Sequence, residues 1–133
     1  MVFEILNKIA QILNKKKWAK TEENVNNITK IMKNFKTINV AVCQGRHDIP
    51  QATDGAIFGT IIIEMNPKKL LTQAQDVLKN DYKIEKGDLV NLYITGLTMA
   101  TIAIINACTM IGANLVCFHF DKDTGKYISQ EVL

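Results

Sequence analysis

LVNLYITGLTMATIAIINACTMIGANLVCFHF, residues 89–120, contains no Asp, Glu, Lys or Arg. Leu89–Ile94 is rich in Val, Leu, Ile and Tyr, which suits a strand buried on both faces. Thr95-Gly96 breaks the run with the residue pair of a tight strand-to-helix turn, since Gly accepts backbone angles that other residues avoid. Leu97–Ile111 reads as a helix, Gly112-Ala113-Asn114 as its stop, and Leu115–Phe120 as a second apolar strand. The unit is β-turn-α-turn-β, and its two strands are expected to be parallel neighbours joined by a right-handed crossover. A membrane-spanning helix is the competing reading of so long an uncharged run. Five polar residues (Thr95, Thr98, Thr101, Asn106 and Thr109), two Gly and the absence of a flanking Lys/Arg cluster speak against it.

Outward from this centre, Lys86-Gly87-Asp88 turns the chain into the first strand. After Phe120, the turn Asp121–Gly125 leads into a last strand over Lys126–Val132, closing a hairpin. Upstream, Asn66-Pro67 is a strong helix start, with Asn as cap and Pro at the first helical position. Leu70, Leu71, Ala74, Val77 and Leu78 give that helix one apolar face. Ile57–Met65 and Ile38–Cys43 read as further strands, separated by the turn-rich loop QGRHDIPQATDG at residues 44–55. Residues 1–36 form two amphipathic helices, the first with Phe3, Leu6 and Leu13 on its apolar side, the second capped by Thr21.

The fold class expected is α/β: a mixed sheet with a central parallel β-α-β unit and a C-terminal hairpin, preceded by two N-terminal helices. Its 133 residues make one domain, with residues 1–36 as a helical extension and 37–133 as the α/β core. Apolar content of 47% and charged content of 22% are those of a globular protein. Cys43, Cys108 and Cys117 sit in apolar runs without CxxC spacing, so buried thiols in a reducing, cytoplasmic setting are expected, with no disulfide frame and no zinc site. Asn7, Lys8 and Gln11 interrupt any secretory signal. The charge is uneven: residues 1–36 carry eight Lys against three Glu, a net +5, and the remainder is net −2. Such a basic front end is either the solvated face of helices or an attraction for an anionic partner.

Three groups of residues are candidates for chemistry. Thr95-Gly96-Leu97-Thr98 ends a strand and opens a helix, where free N–H groups and the helix dipole favour an anion. The alternative there is that Thr98 simply caps the helix. Arg46-His47-Asp48 follows a strand and offers a guanidinium fork and an acid–base pair, or else a plain surface turn. His119, Asp121 and Lys122 gather at the end of the last parallel strand. Asp121-x-Asp123 superficially suggests calcium, but Gly125 comes one position early and Glu131 falls at the eleventh place, so no metal is expected. Neither a GxSxG nor an HExxH motif occurs, and the only serine is Ser129.

From residue 58 to 132 the pattern resembles the small CRISPR-associated ring nucleases, which bind and linearise cyclic tetra-adenylate in type III systems. The likeness rests on IIIEMNPKKLLTQAQDVL, on LYITGLT where that family has a Ser-Gly turn, and on FDKDTGKYISQ, whose Asp121, Gly125 and Gln130 match its Asp, Gly and Gln. The resemblance implies a homo-oligomer with ligand at the interface. The family's Arg two places after the Asp is Asp123 here, and its His in the helix-to-strand turn is missing, so binding carries over more readily than cleavage. His47 and Arg46 are the candidates to replace those groups.

The expected function is thus a cytoplasmic binder of a cyclic oligonucleotide or another phosphate-bearing small ligand. His47 and Asp121 are its catalytic candidates, and Arg46, Thr95, Gly96, Thr98, His119 and Lys122 its ligand contacts. Ring-nuclease cleavage is left open, and no cofactor, long nucleic acid or membrane partner is expected. The other readings are an interaction or inhibitor module acting through the basic N-terminal helices, without catalysis, and a small-molecule enzyme using His47 as base.

Overall fold

The computed structural model describes residues 4–8, 35–45, 48–59 and 64–133. Residues 4–8 are helical, and the remainder of the two expected N-terminal helices lies outside the described residues. Lys8 Nζ lies 4.7 Å from the centroid of the Phe35 ring. The core follows in the order β1 (Thr37–Cys43), β2 (Ala56–Phe58), α1 (Pro67–Asp76), β3 (Leu89–Tyr93), α2 (Thr98–Ile111), β4 (Asn114–Asp121) and β5 (Lys126–Glu131). The five strands form one sheet in the order β2-β1-β3-β4-β5. The first four are parallel and β5 is antiparallel to β4.

The expected pairing at the centre is present. β3 and β4 are parallel neighbours in the register Leu89↔Asn114 to Tyr93↔Phe118, joined by α2. Alternation divides the sheet into two faces. Val40, Val42, Val90, Leu92, Leu115 and Cys117 join Leu70, Ala74, Ala103, Ile104 and Ala107 in one buried core under the helices. Burial pushes the Cys108 thiol up to about 12, with Cys117 adding a smaller push, and burial also raises Cys117. All three cysteines are free and buried.

Asn66 caps α1 as expected, its side chain accepting from the N–H groups of Lys68 and Lys69 at 3.0 and 3.2 Å. Two local features differ from the sequence reading. Of the strand expected over Ile57–Met65, the described part is Ala56–Phe58; residues 60–63 lie outside the described residues, and Gly59 and residues 64–66 are not in a strand. Asn66 keeps an extended backbone, φ −117° and ψ 117°, as an N-cap residue does. α1 also runs on into a π-helical turn at Val77–Asp81, which the apolar period does not announce.

Asp88, 4% exposed, fastens the entry to the sheet by accepting from the backbone N–H of Lys36 at 2.9 Å and of Glu85 at 2.8 Å. The turn before it needs glycine, since Gly87 has φ 89° and a Cβ there would collide with the Phe35 ring. Among the described residues no helix is long and apolar enough to cross a membrane.

Candidate functional site at the carboxyl edge of the sheet

Strand order decides where a ligand can enter. The chain leaves β1 toward β2 on one side, then crosses back past β1 to β3 on the other. The connections that follow β1 and β3 therefore diverge, and in open α/β sheets this divergence opens a crevice at the strands' carboxyl ends. The residues at these two strand ends are Cys43, Gln44 and Gly45 for β1, and Ile94, Thr95 and Gly96 for β3.

Thr95 is buried, and its Oγ1 lies 3.3 Å from Cys43 Sγ across this switch point. Cys43 also lines a cleft of ≈ 250 Å³ on the β2 side of β1, with Gln44, Asp48, Ala52, Gly55 and Ala56. That cleft lies beneath the 44–55 loop, which is strapped along β1. Asp54 accepts the Asn39 N–H at 2.8 Å through its carboxylate, and Tyr82 Oη donates to the Asp54 carbonyl at 2.7 Å. Burial, then the nearby Asp54 and Asp81 carboxylates, raise the Tyr82 hydroxyl above its ordinary range.

Gly96 adopts φ 91°, and a Cβ there would meet nothing within 4 Å, so the turn presents open backbone. α2 starts immediately afterward with Leu97 as its N-cap and no side-chain hydrogen bond to its first N–H groups. Thr98 therefore does not cap the helix. Its exposed side chain lines a second groove of ≈ 420 Å³ with Pro67, Met99, Ile102 and Asn106. The turn is thus divided, with Thr95 facing the β1 rim and Thr98 facing the helical side.

On the other flank, the Ile94 N–H donates to the Phe118 carbonyl at 3.0 Å, which carries the Thr95-Gly96 turn alongside residues 119–121. His119 is exposed, with Nε2 2.8 Å from Gln130 Oε1. The Asp121 carboxylate accepts from the Asp123 N–H at 3.2 Å and the Thr124 hydroxyl at 2.9 Å, and its carbonyl accepts from the Gly125 N–H at 2.9 Å. Lys122 is exposed in the same turn. Asp121, Gly125 and Gln130, the three positions of the sequence resemblance, are engaged within the hairpin. Arg46 and His47 lie outside the described residues.

Sequence reasoning puts His119 and Asp121 near the Thr95–Thr98 turn at the strands' carboxyl ends, and the Ile94–Phe118 hydrogen bond runs the two segments side by side at one edge. It passed over Cys43 as a merely buried thiol, although its place as the last residue of a strand before the 44–55 loop marked it as a rim residue. Among the described residues no group of three or more His, Cys, Asp or Glu is arranged to hold a metal ion. No family model, curated protein or solved structure matches this chain.

Proposed function

We propose that this protein binds a cyclic oligonucleotide or a related phosphate-bearing nucleotide at the crevice between the carboxyl ends of β1 and β3. The observation that supports the reading is the strand order, which has a topological switch point at these two strands, where ligands of open α/β sheets commonly sit. The chemistry at that edge suits an anion. α2 opens without a side-chain cap, so its N–H groups and dipole are free to meet negative charge. Arg46, the single arginine of the chain, follows Gly45 in sequence and has the planar fork that grips phosphate.

Assembly belongs to the same reading. Ile102 and Met110 on α2 are 51% and 65% exposed, so a helix with no charged residue keeps an apolar side for another copy of the chain. Whether the ligand is cut or only held turns on His47 and Asp121, the catalytic candidates of the sequence. Incubation with a panel of cyclic oligoadenylates, followed by chromatography, reads both properties at once. Retention of one ring supports binding, and conversion to linear product adds cleavage. Recovery of every ring, unretained and intact, overturns the proposal.

One observation favours the second reading, an interaction module acting through the N-terminal helices. Leu6 is 56% exposed on the basic extension. In that case the panel leaves no ring retained, and deletion of residues 1–34 abolishes capture of the partner.

A further inference from the structure

We infer that the sheet face turned away from α1 and α2 carries a subsite for a nucleobase, formed by Phe120 and Tyr127 beside the Thr95-Gly96 turn. The inference rests on the nucleotide reading above and assigns the ligand's base to a surface of its own.

Leu92, Leu115 and Cys117 point into the helix-covered core, so by the two-residue period Tyr93, Phe118 and Phe120 face the other way. The register sets Tyr93 beside Phe118, and Phe120 opposite Tyr127. Four rings meet there. Tyr93 and Phe118 stack with centroids 4.7 Å apart at 15°, Tyr127 meets Tyr93 edge-on at 5.1 Å, and Phe120 meets Tyr127 at 5.4 Å. The cluster is closed at one end and open at the other, with Tyr93 8% exposed and Phe120 53% exposed.

A rigid aromatic platform with one open ring is the element on which single-stranded nucleic acid and its fragments stack. A protein partner fits it less well. Protein interfaces need on the order of 1,000 Å² of buried surface, whereas the open aromatic here is one ring with exposed Lys122, Ser129 and Glu131 around it. Continued two residues past the Tyr93↔Phe118 pair, the register puts the Phe120 backbone level with Thr95, beyond the hydrogen bond from the Ile94 N–H to the Phe118 carbonyl. A base on Phe120 therefore leaves its sugar and phosphate next to the open turn at Gly96.

The test titrates the full chain with adenosine, which has a base and no phosphate, and with ribose 5-phosphate, which has a phosphate and no base. Proton NMR follows each probe. Adenosine H2 and H8 are expected to move upfield on binding, as protons over an aromatic ring do. Phe120→Ala should weaken adenosine at least about fivefold, the lower end of what a base–aromatic stack contributes, and leave ribose 5-phosphate unchanged. Phe120→Trp should keep adenosine binding. Because Phe120 is half exposed, both variants should fold, which circular dichroism checks.

If adenosine binds wild type and Phe120→Ala equally, or if Phe120→Trp loses as much as Phe120→Ala, the base subsite is wrong while the anion site stands. Adenosine that depends on Phe120 with no response to ribose 5-phosphate supports the subsite and removes the anion site. Silence from both probes overturns both. A dimer that dissociates in Phe120→Ala with adenosine unaffected assigns the ring to a second copy and overturns the subsite.

Discussion

Cys43 Sγ and Thr95 Oγ1 lie 3.3 Å apart, closing the carboxyl ends of two parallel strands whose residues are 52 positions apart in the chain. This contact is the floor of the proposed crevice. Above it, the Gln44-Gly45 and Thr95-Gly96 connections leave in different directions. Their separation depends on β1 and β3 staying in register, and the Ala41↔Tyr93 pair lies just inside the contact.

Replacing Thr95 with Val keeps the shape of the side chain and removes its oxygen. The buried thiol then loses its partner, and unfolding by urea should show a loss of about 0.5–1.5 kcal/mol. Ligand affinity should fall as well, because the turn loses its tie to the β1 rim. Unchanged stability would mean that the contact contributes nothing to the floor.

Arg46→Lys should weaken nucleotide binding by about 1.5–3 kcal/mol, the value of a hydrogen bond to a charged group, with the thermal midpoint nearly unchanged. Thr98→Val should weaken binding by less. Thr98 is exposed at the start of α2 without serving as its cap, so its loss leaves the helix itself intact. Calorimetry with the ring retained in the panel checks both. An affinity indifferent to Arg46→Lys would reduce the 44–48 segment to a surface turn.

Alkaline pH should destabilise the fold before any change appears near neutrality. The folded Cys108 thiol is raised from 9.0 to about 12, so it stays neutral where the unfolded chain has already lost the proton. Stability from this group is complete below pH 9 and is lost as pH rises from there through about 12. Tyr82 and Tyr93 are also raised, chiefly by burial, and add the same sign at higher pH. Urea midpoints measured from pH 7 to 11 should be flat at first and then fall. Cys108→Ala should make the fall shallower, and a rise of stability above pH 9 would contradict this description of the core.

Light scattering should give a mass above the 14.9 kDa of one chain at micromolar concentration. Ile102→Glu, which puts a charge on the uncovered side of α2, should return the protein to that mass. A wild-type monomer under these conditions would count against assembly through this helix.

How far the sequence carried the fold depended on how local each signal was. The β3-α2-β4 unit announced itself because its apolar runs, the Thr95-Gly96 break and the Gly112 stop all lie within one uninterrupted stretch. Asn66-Pro67 fixed the start of α1 for the same reason, since cap and first turn are neighbours in the chain. Strand order was not legible. Val40 and Val90 belong to equally apolar strands, and nothing in either says that β1 lies between β2 and β3. The Cys43–Thr95 contact and the ring cluster of Tyr93, Phe118, Phe120 and Tyr127 were hidden for that reason, as both arise from pairing between distant segments. The π-helical turn at Val77–Asp81 keeps Val77 and Leu78 on the apolar face and so leaves no mark on the pattern.

A nucleotide that enters at the carboxyl ends of β1 and β3, as proposed, should show itself in backbone amide NMR with cyclic tetra-adenylate. Saturating shifts should be largest for residues 44–48 and 95–99, with smaller ones over 119–122. The absence of any shift, or shifts confined to the lysine-rich residues 15–20, would contradict the account and return the basic extension as the business end of the molecule.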